Sequence, residues 1–562
     1  MGTAPKTTAT RQFAGLVFAR VEPEKLETLR DLLQTAGRET IEGMRGHPPA
    51  DPIVPFRRLA SIHYARFVLH DSDPKVGPWL AFSTDYDGPE GEEGCSESRA
   101  LAFHLDELVR EAGPGLERIF ACCAGYGGDL RSFLKRNRLG ASTFYVGSSG
   151  RSRAQIEWEA ELRRRVDAIL DSRDWRHTAP EAVREAVLKE LAKAYPEHCD
   201  AAGKLDLPYF PAQPDLEGKI ASFKTTAVAC AAALWGLSVF LVWTWLKPRP
   251  WAFVEAPLLV SLVLAVVVLL TVRRFRKLEQ TDPQFQPRFS EVTHEHFRVA
   301  SADENRFLQN QLTHLVPIKP GPLRWLLIRA VFHALQVLAT NRYNKGKLGG
   351  IPSIHFARWV LIPNRGVLFF SNFDSSWQSY LGDFIDQASS GLTAVWSNTV
   401  GYPRTTWLVS AGSRDASRFL AWTRQHQLPS QVWYAAYPGL SIVNVNSNTE
   451  IHRGLTQRGR SELDAVSWLF RLRAVDRVSS DQLYSEEQTR EPPLALDRIQ
   501  GIILKGYGHM PEARYLLFRV REARPELRAW LSRLPVTSAS AGSRSMNPPE
   551  PLLNVAFSHQ GL

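Results

Sequence analysis

Cysteine is scarce in this chain of 562 residues: the five are Cys95, Cys122, Cys123, Cys199 and Cys230, with no CxxC spacing and no paired framework. That pattern excludes a disulfide scaffold and a zinc site of ordinary ligand spacing. GxxxxGK[ST], GxSxG and HExxH are also missing. A phosphate-cradling loop, a nucleophile elbow and a zinc-protease helix are therefore excluded. The opening "MGTAPKTTATRQFAG" holds no apolar signal-peptide core. The net charge is +10, but the arginines are dispersed through helical patterns. The excess fits membrane flanks and surface, and no nucleic-acid partner is expected. Asp85, Asp87, Glu90, Glu92 and Glu93 lack the D-x-[DN]-x-[DN]-G calcium pattern and read as a solvated acidic loop.

What is abundant is uninterrupted apolar sequence in the middle of the chain. Thr225 to Leu246 carries no charge, and Trp251 to Val272 carries only Glu255. Each run is long enough to cross a bilayer as a helix. Lys247-Pro248-Arg249-Pro250 separates them, with Trp243, Trp245 and Trp251 clustered at the turn. A two-helix membrane hairpin is expected. Lys219 and Lys224 precede it, and Arg273, Arg274, Arg276 and Lys277 follow it. The positive-inside rule then puts both soluble flanks in the cytoplasm.

The flanks repeat one another. "SIHYARFVLH" (Ser61–His70) returns as "SIHFARWVLI" (Ser353–Ile362). Around the first copy, "FAGLVFARV", a leucine-spaced helix, "PWLAFSTDYDG", the helix "FHLDELVREAG" and a closing strand "LERIFACCAGYG" give the order βαββαβ. Cys122 and Cys123 would lie on opposite faces of that closing strand. The second copy reads "QLTHLVPIKPG", an apolar helix Leu323–Ala339, "GVLFFSNFDSS", "WQSYLGDFIDQAS" and a closing "LTAVWSNTVGYP". The helix carries Arg324, Arg329 and His333, and is either a core helix or one lying on the membrane surface. The matching continues into "FLKRNRLGASTFYVG" and "FLAWTRQHQLPSQVWYA". This internal repeat predicts two ferredoxin-like modules of the dimeric α+β barrel type, which pair within the chain because each sheet has helices on one face only.

The expected organisation is module one at 1–172, a helical linker at 173–222, the transmembrane hairpin at 223–277, a linker at 278–308, module two at 309–470, a polar linker at 471–493 and a partial third ferredoxin-like unit at 494–562. The candidate site residues are His63, Arg66, His355 and Arg358, repeated polar residues inside apolar strands. Strict alternation puts His63 with Ala65 and Phe67, and Arg66 with Ile62, Tyr64 and Val68, on opposite faces. On that pattern histidine and arginine do not converge on one ligand. They either brace the modules or line a polar pocket between them. Tyr64 and Phe356, on the arginine face, are expected at the contact between sheets.

The last segment carries a family resemblance. Ile499-Gln500-Gly501-Ile502-Ile503-Leu504, "ARYLLFRV" (Ala513–Val520) and "LNVAFSHQGL" (Leu553–Leu562) resemble, in this order, the start of dye-decolourising (DyP-type) haem peroxidases. The resemblance implies a ferredoxin-like opening, a haem cofactor and peroxide-dependent oxidation. The family's GxxDG motif does not occur, and "TDYDGPEG" lacks its first glycine. The proximal histidine and distal arginine belong to later sequence, so no peroxidase residue is carried over and haem is not expected on this chain alone. The resemblance therefore implies a membrane-anchored member of a peroxidase system whose catalytic part is downstream, supplied as a separate domain or lost. The alternatives are a non-enzymatic membrane scaffold or a ligand-binding protein of paired modules. Whether it forms a homo-oligomer stays open.

Overall fold

Residues 10–472 are described by this computed structural model, apart from 72–76, 91, 93–94, 176–177, 209–216, 246–250, 284–290, 303, 342–347 and 363–365, together with Leu516, Leu517, Asn554 and Val555. The chain divides into two compact units, Met1–Leu483 and Tyr484–Leu562.

Short apolar runs, buried on both faces over nearly their whole length, give the first three strands, β1 (Gln12–Arg20), β2 (Ile62–His70) and β3 (Trp79–Asp87). Between them lies α1 (Leu26–Met44), which buries Leu29, Leu33 and Ala36 at helical spacing. After β3 comes α2 (Glu97–Phe120), capped by the Ser96 side chain, then α3 (Leu130–Arg136), capped by Asp129. A short strand β4 (Thr143–Val146) leads to α4 (Arg153–Asp171) and α5 (Pro180–Ala194).

The segment expected to close module one as a strand is helical. Gly113-Pro114-Gly115 reads as a breaker, yet α2 runs through it and buries Leu116, Ile119 and Phe120. A Cβ at Gly115 would lie 1.5 Å from the Ile53 carbonyl oxygen, so this glycine permits a close approach rather than ending a helix. Cys122 and Cys123 follow the helix as buried residues in a turn.

Two long helices come next, α6 (Glu217–Trp245) and α7 (Ala252–Thr281), packed against each other. The expected turn with Lys247 and Arg249 lies outside the described residues. Two described helices, Val254–Thr281 and Pro322–Ala339, are long and apolar enough to cross a membrane, and Ala231–Trp245 is a shorter apolar stretch. Leu234, Leu237, Phe240, Leu258, Leu262 and Leu269 are all more than half exposed.

A second series then repeats the first: α8 (Glu291–Ser301), β5 (Gln309–Val316), α9 (Pro322–Asn341), β6 (Ile354–Ile362), β7 (Gly366–Asp374), α10 (Trp377–Gln387) and α11 (Ser389–Trp396). The expected closing strand "LTAVWSNTVGYP" is thus α11 and a turn. A small hairpin, β8 (Thr405–Thr406) with β9 (Ser410–Ala411), precedes α12 (Ala416–Gln425) and β10 (Val432–Ala435). Helices α13 (Ile442–Arg453), α14 (Gln457–Glu462) and α15 (Ala465–Arg471) complete the unit. In α9, Ile328, Phe332 and Ala339 are buried in the core of the second series, whereas Leu326 is exposed.

The fold is mixed α+β with antiparallel sheets. One sheet has the order β1-β3-β2-β10 and the other β5-β7-β6-β4. The fourth strand of each is contributed by the other series. Each crossing segment starts at its own sheet, where Phe18 N donates to Asn137 O and Leu139 N to Leu16 O. It then ends on the opposite sheet, Thr143 facing Trp359 and Val146 facing Phe356. The second crossing does the same through Leu428 N to Thr313 O and then Val432 facing Phe67. The sheets are therefore joined along both sides. Helices α1 to α3 cover one face of the first sheet in a core that includes Ile62, Ala65, Phe67 and Leu69. The other face meets the second sheet through Leu16, Val68, Trp79, Val360, Leu368 and Phe370. Burying each such side chain contributes about 1.5–3 kcal/mol.

In the C-terminal unit, Leu516–Leu517 (β11) pairs antiparallel with Asn554–Val555 (β12). Ile499–Leu504 and the rest of that unit lie outside the described residues, as does the polar linker after 472.

Candidate functional site

The repeated residues converge between the two sheets. A register shift interrupts β2 against β3 between Ile62 and Tyr64, and β6 against β7 between Ile354 and Phe356. The extra residue in each bulge is a histidine. A bulge resets the alternation of faces, so Ile62 lies in the helix-side core with Ala65 and Phe67, while His63 turns toward the other sheet. The expectation that His63 shares a face with Ala65 and Phe67 is thereby corrected. His63 contacts Phe356 at a ring separation of 5.2 Å, and Tyr64 contacts His355 at 5.7 Å and Phe356 at 5.5 Å.

Each arginine crosses to the opposite sheet, and the two make corresponding contacts. Arg358 donates through Nη1 to Gly15 O at 2.7 Å and through Nη2 to Thr84 O at 3.2 Å and to Ser83 Oγ. Arg66 donates to Leu312 O at 3.1 Å, to Ser371 O at 3.0 Å and to Asn372 Oδ1, with Gln311 and Thr313 as further acceptors. Phe370 lies under both guanidiniums, 5.4 Å from Arg66 and 5.2 Å from Arg358. The symmetry breaks one residue on: Arg358 faces Asp85 at 3.5 Å where Arg66 faces the neutral Asn372. Asn372 Nδ2 donates to Asp85 Oδ2 at 3.0 Å and links the halves.

The histidines are held just as symmetrically. His63 Nε2 lies 2.9 Å from Asp87 Oδ1, and His355 Nε2 lies 2.7 Å from Asp374 Oδ1. Asp87 accepts from the backbone N–H of Arg153, in the first turn of α4, and Asp374 from that of Ile442, in the first turn of α13. A carboxylate at a helix N-terminus is favoured by the helix dipole. The other His63 nitrogen, Nδ1, meets Tyr437 Oη at 2.8 Å. His355 differs: Gln309 Nε2 lies 3.3 Å from its Nε2, and its Nδ1 is buried with no partner among the described residues.

Asp85 and Asp87 were expected in a solvated acidic loop, with Glu90, Glu92 and Glu93. Both instead lie in β3, 4% and 5% exposed, as the partners of Arg358 and His63. Glu92 does face solvent and pairs with Arg99, while Glu93 lies outside the described residues. The sequence reading also passed over Asp374, Gln309 and Tyr437. The signal that could have found the aspartates is their matching place, since Asp87 and Asp374 each close the strand that follows a repeated histidine strand.

Burial dominates the electrostatics. It lowers the Arg66 guanidinium to about 9, opposed by the Asp85 charge, and lowers Arg358 as well. It raises the Asp85 carboxyl, opposed by Arg358 and then Arg66. It pushes Tyr64 and Tyr437 well above the ordinary phenol range. The ions are thus held by their mutual contacts against the cost of desolvation.

The chemistry open to this arrangement is limited by access. A general base must come within hydrogen-bond reach of a substrate proton, and both histidines are 0% exposed. A cavity of about 330 Å³ beside α9, lined by Leu335, Trp359, Phe384 and Trp396 among others, includes none of the four repeated residues. No His, Cys, Asp and Glu side chains gather in groups of three or more to hold a metal among the described residues. Haem fits poorly here: the histidine nitrogens facing Asp87, Tyr437 and Asp374 are committed, the cluster is closed by aromatic rings, and the cavity lining has no histidine or cysteine.

No family model, no curated protein and no solved structure matches the chain.

Proposed function

We propose that this protein is a non-enzymatic, membrane-attached scaffold. Its two repeats are ferredoxin-like modules that pair inside one chain as a dimeric α+β barrel, with their fourth strands exchanged. The observation that carries this reading is the consumption of the repeated polar side chains: each histidine by an aspartate of its own sheet, and each arginine by groups of the opposite sheet. A site built for turnover would leave at least one such group facing a cavity.

Helices α6 and α7 form the membrane hairpin of the proposal. Their apolar surface is exposed along most of the described length, which supports lipid as its surroundings. Helix α9 belongs to module two, since Thr143 Oγ1 and the Phe144 N–H of β4 bond to Phe332 O and Gln336 Oε1. Basic residues outside the spans favour cytoplasmic flanks.

The pairing of β11 with β12 favours a second reading, membership of a DyP-type peroxidase system, because both strands fall in segments that resemble that family. Titrating the purified full chain in nanodiscs with haemin tests the scaffold reading. The scaffold reading expects weak, substoichiometric absorbance changes and no peroxide-dependent dye oxidation. A stoichiometric histidine-ligated Soret band with turnover overturns it.

A further inference from the structure

The end of α7 holds a small hairpin in an unusual way. The tip between β8 and β9 is Trp407-Leu408-Val409. Trp407 and Leu408 have positive φ, 58° and 61°. Bulky residues seldom adopt that conformation, which Asn or Gly would take at lower cost. The tip is nonetheless apolar and outward, with Trp407 55% and Val409 43% exposed. Glu279 of α7 holds its backbone: it accepts from Thr405 Oγ1 at 2.6 Å, Trp407 N at 3.2 Å and Leu408 N at 2.8 Å. The Arg276 guanidinium sits 4.4 Å from the centre of the Trp407 ring.

These contacts set a depth. The apolar run of α7 ends at Val272, before Arg273 and Arg274. At 1.5 Å per residue, Arg276 lies about 6 Å and Glu279 about 10 Å beyond it. The polar zone on each side of a hydrocarbon core is about 5–8 Å thick. Trp407, stacked on Arg276, therefore falls at the level of the lipid headgroups, where tryptophan is enriched. Asp282 pairs with Lys319 at 2.8 Å and with Arg324, which fixes the helix end to the second series at one more point.

We infer that the β8–β9 hairpin is an interfacial foot: Trp407 and Val409 insert into the headgroup–acyl boundary of the bilayer crossed by α7 and fix the depth of the soluble domain. This rests on the membrane reading of α7. The exposed apolar tip is held against the end of an apolar helix long enough to cross a membrane, which is why a bilayer is its occupant.

The test uses the full chain, reconstituted in vesicles of phosphatidylcholine and phosphatidylglycerol, with p-benzoylphenylalanine placed singly at position 409, 262 or 103. Position 262 reports whether α7 is in lipid, and 103 is an exposed position on α2. Irradiation followed by mass spectrometry reads lipid adducts. The expected result is strong adducts at 262 and about tenfold more at 409 than at 103, as for an interfacial against an aqueous position. Glu279→Ala should then cut the yield at 409 to about half or less, by freeing the tip, while 262 is unchanged. Adducts at 262 with none above the 103 level at 409 overturn the foot and leave the span standing. No adducts at 262 overturn both.

Discussion

Replacing Arg358 with Met keeps much of the side-chain volume and removes the charge. Asp85 would then keep one direct hydrogen bond, from Asn372, in a site 4% exposed. Removing one partner of a buried ion pair costs about 3–5 kcal/mol, most of it from the uncompensated charge left behind. Arg66→Met is the matched control, because it removes corresponding contacts on the other side of the interface. Its acceptors are neutral, and several keep a second donor: Asn372 Oδ1 accepts from Trp433 Nε1 at 3.0 Å, and Gln311 Oε1 from Ser430 Oγ at 3.0 Å. Leaving neutral groups short of a partner costs about 1–3 kcal/mol, and the desolvation that lowers Arg66 is relieved. Arg358→Met should therefore be the worse of the two. Adding Asp85→Asn should recover about 1–3 kcal/mol of that loss, because it turns the stranded charge into an amide. Hydrogen exchange of β3 and β7 amides in the full chain reads these differences, with about a hundredfold or more faster exchange expected for Arg358→Met. If Arg66→Met is as damaging, or Asp85→Asn worsens Arg358→Met, the charge asymmetry is not what distinguishes the two halves.

Three further outcomes are expected. His104 stacks on Tyr86 at 3.7 Å, and burial lowers it to about 3, as it does His314. A histidine kept neutral in the fold contributes stability that is present above the unfolded value near 6.5 and lost as pH falls toward 3. His104→Gln should remove up to about 1.4 kcal/mol per pH unit from the acid slope between those limits, and an unchanged slope in urea titrations would refute it. Cutting the chain at a protease site inserted within 284–290 should leave two fragments that co-elute, because β4 and β10 each belong to the other sheet; separation without denaturant would contradict the exchange. Deleting 225–272 should release the protein from membranes, as read by carbonate extraction; continued sedimentation would direct attention to the exposed face of α9.

The strands at Ile62–His70 and Ile354–Ile362 were legible because a near-verbatim repeat of apolar strand patterning has few other readings. The contact of Tyr64 with Phe356 followed from the same pattern. The bulge was not legible. One inserted residue leaves no mark in the alternation of a strand buried on both faces, and in each copy it reverses where histidine points. Helix α2 was read too short because Gly113-Pro114-Gly115 has the composition of a turn, whereas its use depends on the distant Ile53 carbonyl. Asp85 and Asp87 were misread for a similar reason. Their density with Glu90 and Glu92 suggests a solvated loop, and only the pairing of β3 with β1 and β2 buries them.

Strand exchange hides from sequence most completely, and it also explains the doubling. β4 and β10 are each four residues long, too short to stand as an independent edge. Each is fixed by a sheet whose strands lie far away in the chain, Val146 opposite Phe356 and Ala435 opposite Tyr64. Neither series can complete its sheet alone, and Arg66 and Arg358 would meet no acceptors without the opposite sheet. Two copies in separate chains could satisfy the same geometry, but only at a concentration that favours the dimer. Joining them through α6 and α7 makes the second encounter intramolecular, with an effective concentration set by the connection rather than by expression. Duplication also lets the halves diverge, which identical subunits cannot do. Asp85 stands against Asn372, and Tyr437 serves His63 while His355 Nδ1 has no partner among the described residues. A symmetric dimer would bury both versions of the arginine contact as ion pairs or neither. A single chain carries one of each, so only one carboxylate has to be held in the contact between the two guanidiniums.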